Sequence, residues 1–300
     1  EYNVSTSVIT PGAWASGGAY PTNTQDLGGA GTRTAGLIFG GQTPAPGTTA
    51  ATNEYDGSTF SGGGSLNTAR GFITGFGTQT AGAGFGAAPA AVLTAETEEY
   101  DGTSWTLGGN LTTARGNAGG AGIQTAGLGF GGYVPGSPNF TNVTEEYNGT
   151  SWTAGGNMGT GRRGMGGCGT QTAALAAAGY STTFLSNVEE YNGTSWTTAN
   201  STPFAVKEFK TVGTQTSALG VGGYLPGPAG GPANAPTTSS IYDGTNWSTN
   251  PSLATGSSRG GQAGSTTSAF VTAGALGSGI TTEEFNGETS ANNYVDITTS

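Results

Sequence analysis

The feature that most constrains the fold of this chain is a pair of sequence blocks that alternate along nearly its whole length. One block reads G-T-Q-T-A-G with variations and starts six times, at Gly31, Gly77, Gly122, Gly169, Gly213 and Gly264. The other reads E-E-Y-[DN]-G-T-S-W in its fullest form, and its aromatic residue recurs at Tyr55, Tyr100, Tyr147, Tyr191, Tyr242 and Phe285. Such a period is typical of repeat architectures, in which each repeat forms one supersecondary unit.

The spacing inside the repeats is fixed. A second aromatic residue follows the Tyr position by five residues in five repeats, and the next glycine block begins 17 residues after it each time. Trp14 also precedes a glycine block by 17 residues, whereas the last repeat has Ser290 at the equivalent position. All variation in length therefore falls between the glycine block and the E-E-Y block, which predicts a surface loop there.

Each repeat contains four short segments suited to β-strands, labelled a to d. Strand a ends in the glycine block, b follows it, c ends at the Tyr and d begins at the Trp. Repeats of about 40–50 residues with four strands each are typical of propellers. The sequence therefore predicts an all-β, six-bladed β-propeller with four antiparallel strands per blade. The spare d segment at Trp14 is expected to complete the last blade and close the ring.

The same spacing predicts how the rest of the chain is used. The ring needs about residues 11–287, so residues 1–300 are expected to form a single propeller domain. Residues 1–10 and 288–300 alternate Val, Ile or Tyr with polar residues, which predicts extended terminal segments. We expect these segments to lie near each other, with at least one tethering the propeller to a neighbour. Asn-Gly and Asp-Gly pairs between strands c and d predict two-residue turns with positive φ at both positions, at Asn148, Asn192 and Asp101.

Composition limits the partners. The net charge is −10 with only eight Lys and Arg residues, which argues against nucleic acid or anionic lipid as the main partner and favours a neutral or cationic one. No apolar run is long enough to cross a bilayer, so membrane insertion is not expected. The chain has one cysteine and no histidine, so we predict no metal site, no cofactor and no imidazole-based catalysis.

The residues resemble a known family. The segment L-T-T-A-R at 111–115, the pair Gly131-Gly132, the E-E-Y segment at 145–147 and Trp152 resemble the kelch repeat. More narrowly, G-T-Q-T-A followed by E-E-Y-[DN]-G-T-S-W looks like the kelch-like repeat proteins of marine bacteriophages. That resemblance implies a virion-associated protein, either a capsid decoration protein or a tail and adsorption component. It also implies a location on a virion or extracellular surface, and other virion or surface proteins as partners.

Charged residues also recur with the repeat. A catalytic acid pair is needed once per active site, so carboxylates repeated at one position favour a structural role. Since strands alternate direction, the start of strand a and the start of strand c share one face, and the sequence predicts buried ion pairs between them. This structural series comprises Arg70, Arg115, Arg162, Lys207 and Arg259 with Glu99, Glu146, Glu190 and Glu284.

Five aromatic residues in or beside the variable b–c loops are not required by blade packing and predict a ligand-binding face: Tyr133, Phe140, Tyr180, Phe184 and Tyr224. Three functions stay open. The first is a non-catalytic structural or binding module of a phage particle, and the second is a secreted or surface carbohydrate-binding propeller. The third is a glycosidase that uses the non-repeat acids Asp26 or Glu208, which stand alone in the sequence.

Overall fold

The computed structural model describes residues 2–44, 47–87, 92–136, 138–225, 234–274 and 279–297. It contains six four-stranded antiparallel sheets. In each sheet the strands lie in the order a, b, c, d. The a strands of neighbouring blades contact one another in a closed circuit that runs from blade 1 through blade 6 and back to blade 1. The chain is therefore a six-bladed β-propeller with strand a of every blade lining the central channel.

The strand bounds follow the repeat. The N-terminal segment forms β1 (Tyr2–Thr10) and β2 (Ala13–Ser16). Blade 1 contains β3 (Gly28–Thr32) and β4 (Ala35–Phe39), then the short loop hairpin β5 (Gln42–Thr43) and β6 (Gly47–Thr48), and lastly β7 (Thr52–Tyr55) and β8 (Phe60–Gly62). Blade 2 is made of β9 (Thr74–Gly77), β10 (Gly82–Phe85), β11 (Thr97–Tyr100) and β12 (Trp105–Leu107). Blade 3 is made of β13 (Gly119–Ile123), β14 (Ala126–Phe130), β15 (Thr144–Tyr147) and β16 (Trp152–Ala154).

The second half of the ring continues the pattern. Blade 4 is made of β17 (Gly166–Thr170), β18 (Ala173–Tyr180), β19 (Phe184–Tyr191) and β20 (Trp196–Ala199). Blade 5 is made of β21 (Lys210–Thr214), β22 (Ser217–Val221), β23 (Ser239–Tyr242) and β24 (Trp247–Asn250). Blade 6 is made of β25 (Gly261–Gly264), β26 (Ser268–Thr272) and β27 (Thr282–Asn286), with β2 as its outer strand. The chain then forms β28 (Thr289–Ile297).

The ring closes as the register predicts. β2 pairs antiparallel with β27, so Trp14 lies opposite Phe285 in the position that a Trp occupies opposite a Tyr in blades 2 to 5. The N-terminal strand thereby supplies strand d of the last blade, and the prediction of this closure is confirmed. Separately, β1 pairs with β28 along their full length, from Tyr2 opposite Ile297 to Thr10 opposite Thr289, as a two-stranded ribbon.

Large aromatic rings fill the space between blades, which is where the core lies. Trp105 of blade 2 packs against Phe39 of blade 1 with ring centroids 4.7 Å apart, and its indole N–H donates to Thr52 Oγ1 of blade 1 at 2.9 Å. Trp152 repeats both contacts one blade further on. The invariant Trp spacing therefore reflects packing of each blade on the preceding one.

Glycine lines the channel because neighbouring a strands approach too closely for side chains. A Cβ at Gly167 would lie 2.8 Å from both the backbone N and the backbone O of Gly120 in the adjacent blade. This spacing is shorter than real Cβ atoms tolerate, so the inner strands depend on glycine there. The low side-chain content of the channel makes the few larger residues at its mouth conspicuous.

The turns between strands c and d differ from the predicted two-residue form. Tyr147 pairs with Trp152, which leaves the four-residue loop 148–151, and positive φ occurs at Gly149 but not at Asn148. Asn148 Oδ1 instead accepts hydrogen bonds from the backbone N–H of Thr150 and Ser151, both at 2.9 Å. The side chain thus caps a longer turn, a role that Asn and Asp perform as well as the positive-φ role we expected. The Asp101 and Asn192 turns have the same form.

Candidate functional site

The structural ion pairs exist in three blades, and they use the first glutamate of each acid pair. Arg70 Nη2 lies 2.5 Å from Glu98 Oε1, and Arg162 Nη2 lies 3.1 Å from Glu189 Oε1. Arg115 pairs with Glu145 in the same way, and all three guanidinium groups are fully buried. Carbonyl oxygens accept further hydrogen bonds from the terminal guanidinium nitrogens, such as Val143 O at 2.8 Å from Arg115 Nη1, whereas the Nε of Arg70 and of Arg162 has no partner among the described residues. These pairs hold strand c of a blade to the connection that precedes strand a.

The predicted partners Glu99, Glu146, Glu190 and Glu284 were therefore wrong for this series. Successive side chains of a strand point to opposite faces, so the second glutamate faces the next blade rather than the arginine of its own blade. There it accepts a hydrogen bond from the tyrosine of that next blade, as from Tyr147 Oη to Glu99 Oε1 at 2.6 Å. The equivalent pairs are Tyr191 with Glu146, Tyr242 with Glu190, Tyr55 with Glu284 and Tyr100 with Glu54.

These tyrosines remain protonated donors. Burial, and secondarily the hydrogen bond to Glu99, raises the pKa of Tyr147 to about 12. Glu284 also accepts from Arg33 Nη1 at 2.9 Å, which is its ion pair, but that arginine lies outside the predicted series. The second glutamate of each pair is thus used in packing between blades, whereas the first is used within its own blade.

Lys207 and Arg259 do not occupy the arginine position either. The buried arginines stand seven residues before the glycine block, and that count leads to Val206 in blade 5 and Ser257 in blade 6. Both are buried. Blade 5 correspondingly has Ser240 where blades 2, 3, 4 and 6 carry the buried glutamate. Glu283 of blade 6 accepts the backbone N–H groups of Ala254 and Thr255, each at 2.8 Å, in place of an arginine.

Lys207 and Arg259 stand one and two residues after the arginine position of their blades. Both lie at one mouth of the channel. The residue two places before strand a has positive φ in all six blades, with values between 54° and 60°. Five backbone hydrogen bonds of 2.6–3.0 Å link these residues from blade to blade, such as Asn117 N to Phe72 O. We call this set the mouth ring; it comprises Asp26, Phe72, Asn117, Gly164, Glu208 and Arg259.

Positive φ is uncommon for residues other than glycine, and strain of this kind clusters at functional sites. The mouth ring adopts it with five residues that have side chains. Because strand a starts at this end of each blade and strand b ends there, the ring lies on the face that carries the b–c loops.

Charges are concentrated within the mouth ring. Arg259 binds Asp26 through two nitrogens, with Nε 2.7 Å from Asp26 Oδ1 and Nη2 bonded to Oδ2. Glu208 Oε1 accepts from Asn117 Nδ2 at 2.9 Å. Burial raises the pKa of Asp26 to about 6 against the opposing effect of Arg259, and the charge of Glu208 raises it further. The two isolated acids of the sequence therefore lie near one another.

Lys210 lies just inside the mouth, at the start of β21. Every other blade has glycine or threonine at this first position of strand a, so Lys210 is the one long side chain there. Burial lowers its pKa, although Glu208 and Asp26 oppose the shift. With Asp26, Glu208 and inner-strand glycines it lines a cavity of about 60 Å³ in the channel.

Three of the loop aromatics alternate with two cations beside the mouth ring. Arg163 lies over the rings of Tyr133 and Tyr180, 5.2 and 5.4 Å from their centroids. Lys207 Nζ lies over Tyr224 at 4.4 Å and Tyr180 at 5.8 Å. The aromatic–basic arc, as we name it, runs across blades 3 to 5 in the order Tyr133, Arg163, Tyr180, Lys207, Tyr224.

The two remaining loop aromatics behave differently. Phe184 joins the arc, with its ring parallel to that of Tyr224 at 6.0 Å and edge-on to Tyr180 at 5.5 Å. Phe140 makes none of the ring contacts found among the described residues and lies against Gly161, where a Cβ would be 3.2 Å from its ring. Four of the five predicted ligand-binding aromatics are thus brought together, and Phe140 is not.

A cavity of about 260 Å³ joins the arc to the ring. Its lining includes the cations Arg163, Lys207 and Arg259 together with Tyr224 and Glu208. This volume is somewhat below the usual range for small-molecule pockets, so it fits one compact ligand group. In the described part of the chain no group of three or more Asp, Glu or Cys side chains is arranged to hold a metal ion, and no helix is long and apolar enough to cross a membrane.

Sequence reasoning missed Arg163 and Lys210, and it assigned Lys207 and Arg259 to the wrong set. A usable signal was present: all four cations break the repeat. Arg163 and Lys207 both stand six residues before the glycine block, at a position that is Gly in blades 2 and 3. Strict counting from the glycine block would have separated them from the buried arginines.

Comparisons with known proteins support the architecture. No family model matches the sequence, and no curated protein matches it. Many solved structures match, among them one titled "Structure of YjhT", with a TM-score of 0.73 and 13% sequence identity over 91% of this chain and 99% of that one. At this identity the likeness concerns the fold, and β-propellers include enzymes as well as binding proteins.

Proposed function

We propose that this protein is a non-catalytic binding module of a virion or extracellular surface, and that it binds glycans on the aromatic–basic arc. One observation carries the proposal: Tyr133, Tyr180 and Tyr224 come from three different blades, yet they form one surface around Arg163 and Lys207. These tyrosines are half-buried and lie outside the repeated Tyr and Trp positions that pack each blade on the next.

The chemistry of the arc suits saccharides. Aromatic faces offer rigid apolar area for the C–H face of a sugar ring, and tyrosine hydroxyls add hydrogen bonds at little entropic cost. Tyr224 is shared by the arc and the cavity, so one sugar unit can contact the ring face while a substituent enters the cavity. The irregular b–c loops around it give selectivity that the regular opposite face lacks.

The non-catalytic part of the proposal rests on the state of the two acids at the mouth. Both Asp26 oxygens are bonded to Arg259, and Glu208 Oε1 accepts from Asn117, so both acids are engaged with protein groups in this arrangement. A glycosidase using Asp26 and Glu208 is the competing function. Its support is their proximity and the raised pKa of Asp26, because perturbed pKa values cluster at catalytic sites.

The surface or virion location rests on the resemblance of the repeats to kelch-like phage proteins. An acidic exterior fits it, because high net charge keeps surface proteins soluble. Mass spectrometry of purified phage particles would detect the chain if the virion assignment is correct, and its restriction to uninfected cells would rule that assignment out.

The binding site is tested with single substitutions on a glycan array followed by calorimetry. Tyr180→Ala and Tyr224→Ala are expected to weaken the strongest glycan interaction about tenfold or more, the usual effect of truncating an aromatic anchor. Phe140→Ala is the matched control, since this loop aromatic lies outside the arc, and it should leave affinity unchanged. Retained binding in both tyrosine variants would contradict the site. Release of free sugar by the wild type, lost in Asp26→Asn or Glu208→Gln, would contradict the non-catalytic assignment.

A further inference from the structure

The distribution of cations in this chain is strongly uneven. Of its eight Lys and Arg residues, Arg70, Arg115 and Arg162 are buried in ion pairs within blades, and Arg33 pairs with Glu284. The other four converge on one mouth of the channel: Arg163, Lys207, Lys210 and Arg259. Every cation not used in packing therefore lies at the site proposed for ligand binding.

Carboxylates at the mouth do not balance these cations. The acids there are Asp26 and Glu208, so four cations face two carboxylates inside a chain whose net charge is −10. Arg259 is neutralised by Asp26, but none of the ion pairs among the described residues involves Arg163, Lys207 or Lys210. A net positive cavity with low-dielectric walls attracts anions even when the whole protein is acidic.

The Arg163 side chain is positioned by aromatic rings. Its Nε has no hydrogen-bond partner among the described residues, but this is equally true of the buried Nε of Arg70 and of Arg162, so Nε alone does not indicate a ligand. Its guanidinium is held between the faces of Tyr133 and Tyr180, which orients the group by cation–π contact without using its N–H donors. The planar guanidinium can match a carboxylate or sulfate with two hydrogen bonds.

From these observations we infer that the ligand of the aromatic–basic arc is an acidic saccharide, whose carboxylate or sulfate group enters the cavity and binds Arg163 and Lys207. The inference deepens the proposed glycan binding and rests on it. It also revises the expectation, drawn from net charge alone, of a neutral or cationic partner: the local field at the mouth has the opposite sign to that of the whole chain.

The experiment compares an oligogalacturonate, a sulfated oligogalactose and the matched neutral oligogalactose by calorimetry on the wild-type chain. Both acidic probes are expected to bind at least about tenfold more tightly than the neutral one, and their affinity should fall as salt is raised. The double variant Arg163→Gln, Lys207→Gln should reduce the preference for acidic probes by about tenfold or more, because the loss of even one charged hydrogen bond weakens binding by about this factor. Whichever acidic probe binds more tightly identifies the group that the cavity accepts.

Arg33→Gln is the matched control, since it removes one positive charge at a distance from the mouth and should keep affinity within about twofold. Equal affinity for acidic and neutral probes, or an equal loss in Arg33→Gln, overturns the inference, as does the absence of acidic-probe binding by the wild type. The salt dependence of the wild type gives a result that does not depend on how the variants fold. The proposed glycan binding fails by a different result, namely neutral-glycan binding that Tyr180→Ala leaves unchanged.

Discussion

The two glutamates of an acid pair are adjacent in sequence but serve different contacts. Glu145 faces the connection before its own blade and pairs with Arg115, whereas Glu146 faces the next blade and accepts the hydroxyl of Tyr191 at 2.6 Å. The buried guanidinium of Arg115 is compensated by Glu145 and by the carbonyl oxygens of Gly131 and Val143, and burial lowers the pKa of Arg115 despite the charge of Glu145. The two glutamates thus join strand c of their blade to the connection before strand a and to strand c of the next blade.

Blade 5 provides a natural double replacement of this ion pair, with Val206 and Ser240 at the two positions. We expect Arg115→Val alone to lower the free energy of unfolding by about 3–5 kcal/mol, since it leaves the Glu145 carboxylate buried without a cation. Adding Glu145→Ser should restore part of that loss. Urea unfolding of the two variants measures the difference, and a double variant no more stable than the single one would show that the unpaired carboxylate is not the cause.

At the scale of elements, strand β2 decides whether the ring is closed. It is largely exposed, yet it covers the edge of β27, and Trp14 packs on Phe285 with centroids 5.2 Å apart. The Trp14 indole N–H also reaches Ser239 Oγ of blade 5 at 3.4 Å, so the strand links blade 6 to its neighbour. An uncovered β27 would present an unpaired sheet edge.

Trp14→Ala is therefore expected to destabilise the protein by about 2 kcal/mol, less than removal of a fully buried Trp because Trp14 is only partly buried. Leu107→Ala is the control, since Leu107 lies in the equivalent outer strand of blade 2 and is 68% exposed. Hydrogen exchange should rise in β27 and stay unchanged in β15 of blade 3. Uniform acceleration in all blades would instead mean that closure stabilises the ring as one unit.

At the scale of the whole molecule, the sequence predicted what repeats and failed where the repeat breaks. The aromatic spacing was enough to predict six blades and the closure by Trp14, because inter-blade packing imposes the same distance in each unit. It could not show which face of strand c each glutamate takes, since that depends on the neighbouring blade. Nor could it show that Asp26 and Glu208, which are 182 positions apart in sequence, share one mouth. Only the circular arrangement brings blades 1, 5 and 6 together.

The mouth ring joins all blades, and Asp26 gives it a dependence on pH. Burial raises the pKa of Asp26 to about 6 from its ordinary value of 3.8, and Arg259, Glu208 and Lys210 are the charged groups that face it. A raised pKa means that the folded state holds the proton more tightly than the unfolded state. The stability contributed by this proton is fully present below pH 4 and is lost as pH rises through about 6.

We therefore expect the wild type to lose up to about 3 kcal/mol of stability relative to Asp26→Asn between pH 4 and pH 7, following 1.36 kcal/mol per pKa unit. Asp56→Asn serves as the control, because Asp56 is exposed and its backbone hydrogen bonds lower its pKa to about 2, below this pH window. Urea unfolding at intervals of pH measures both differences. A wild type that gains stability relative to Asp26→Asn over the same window would show that the ion pair with Arg259 outweighs burial, and that the mouth is held together by full charges.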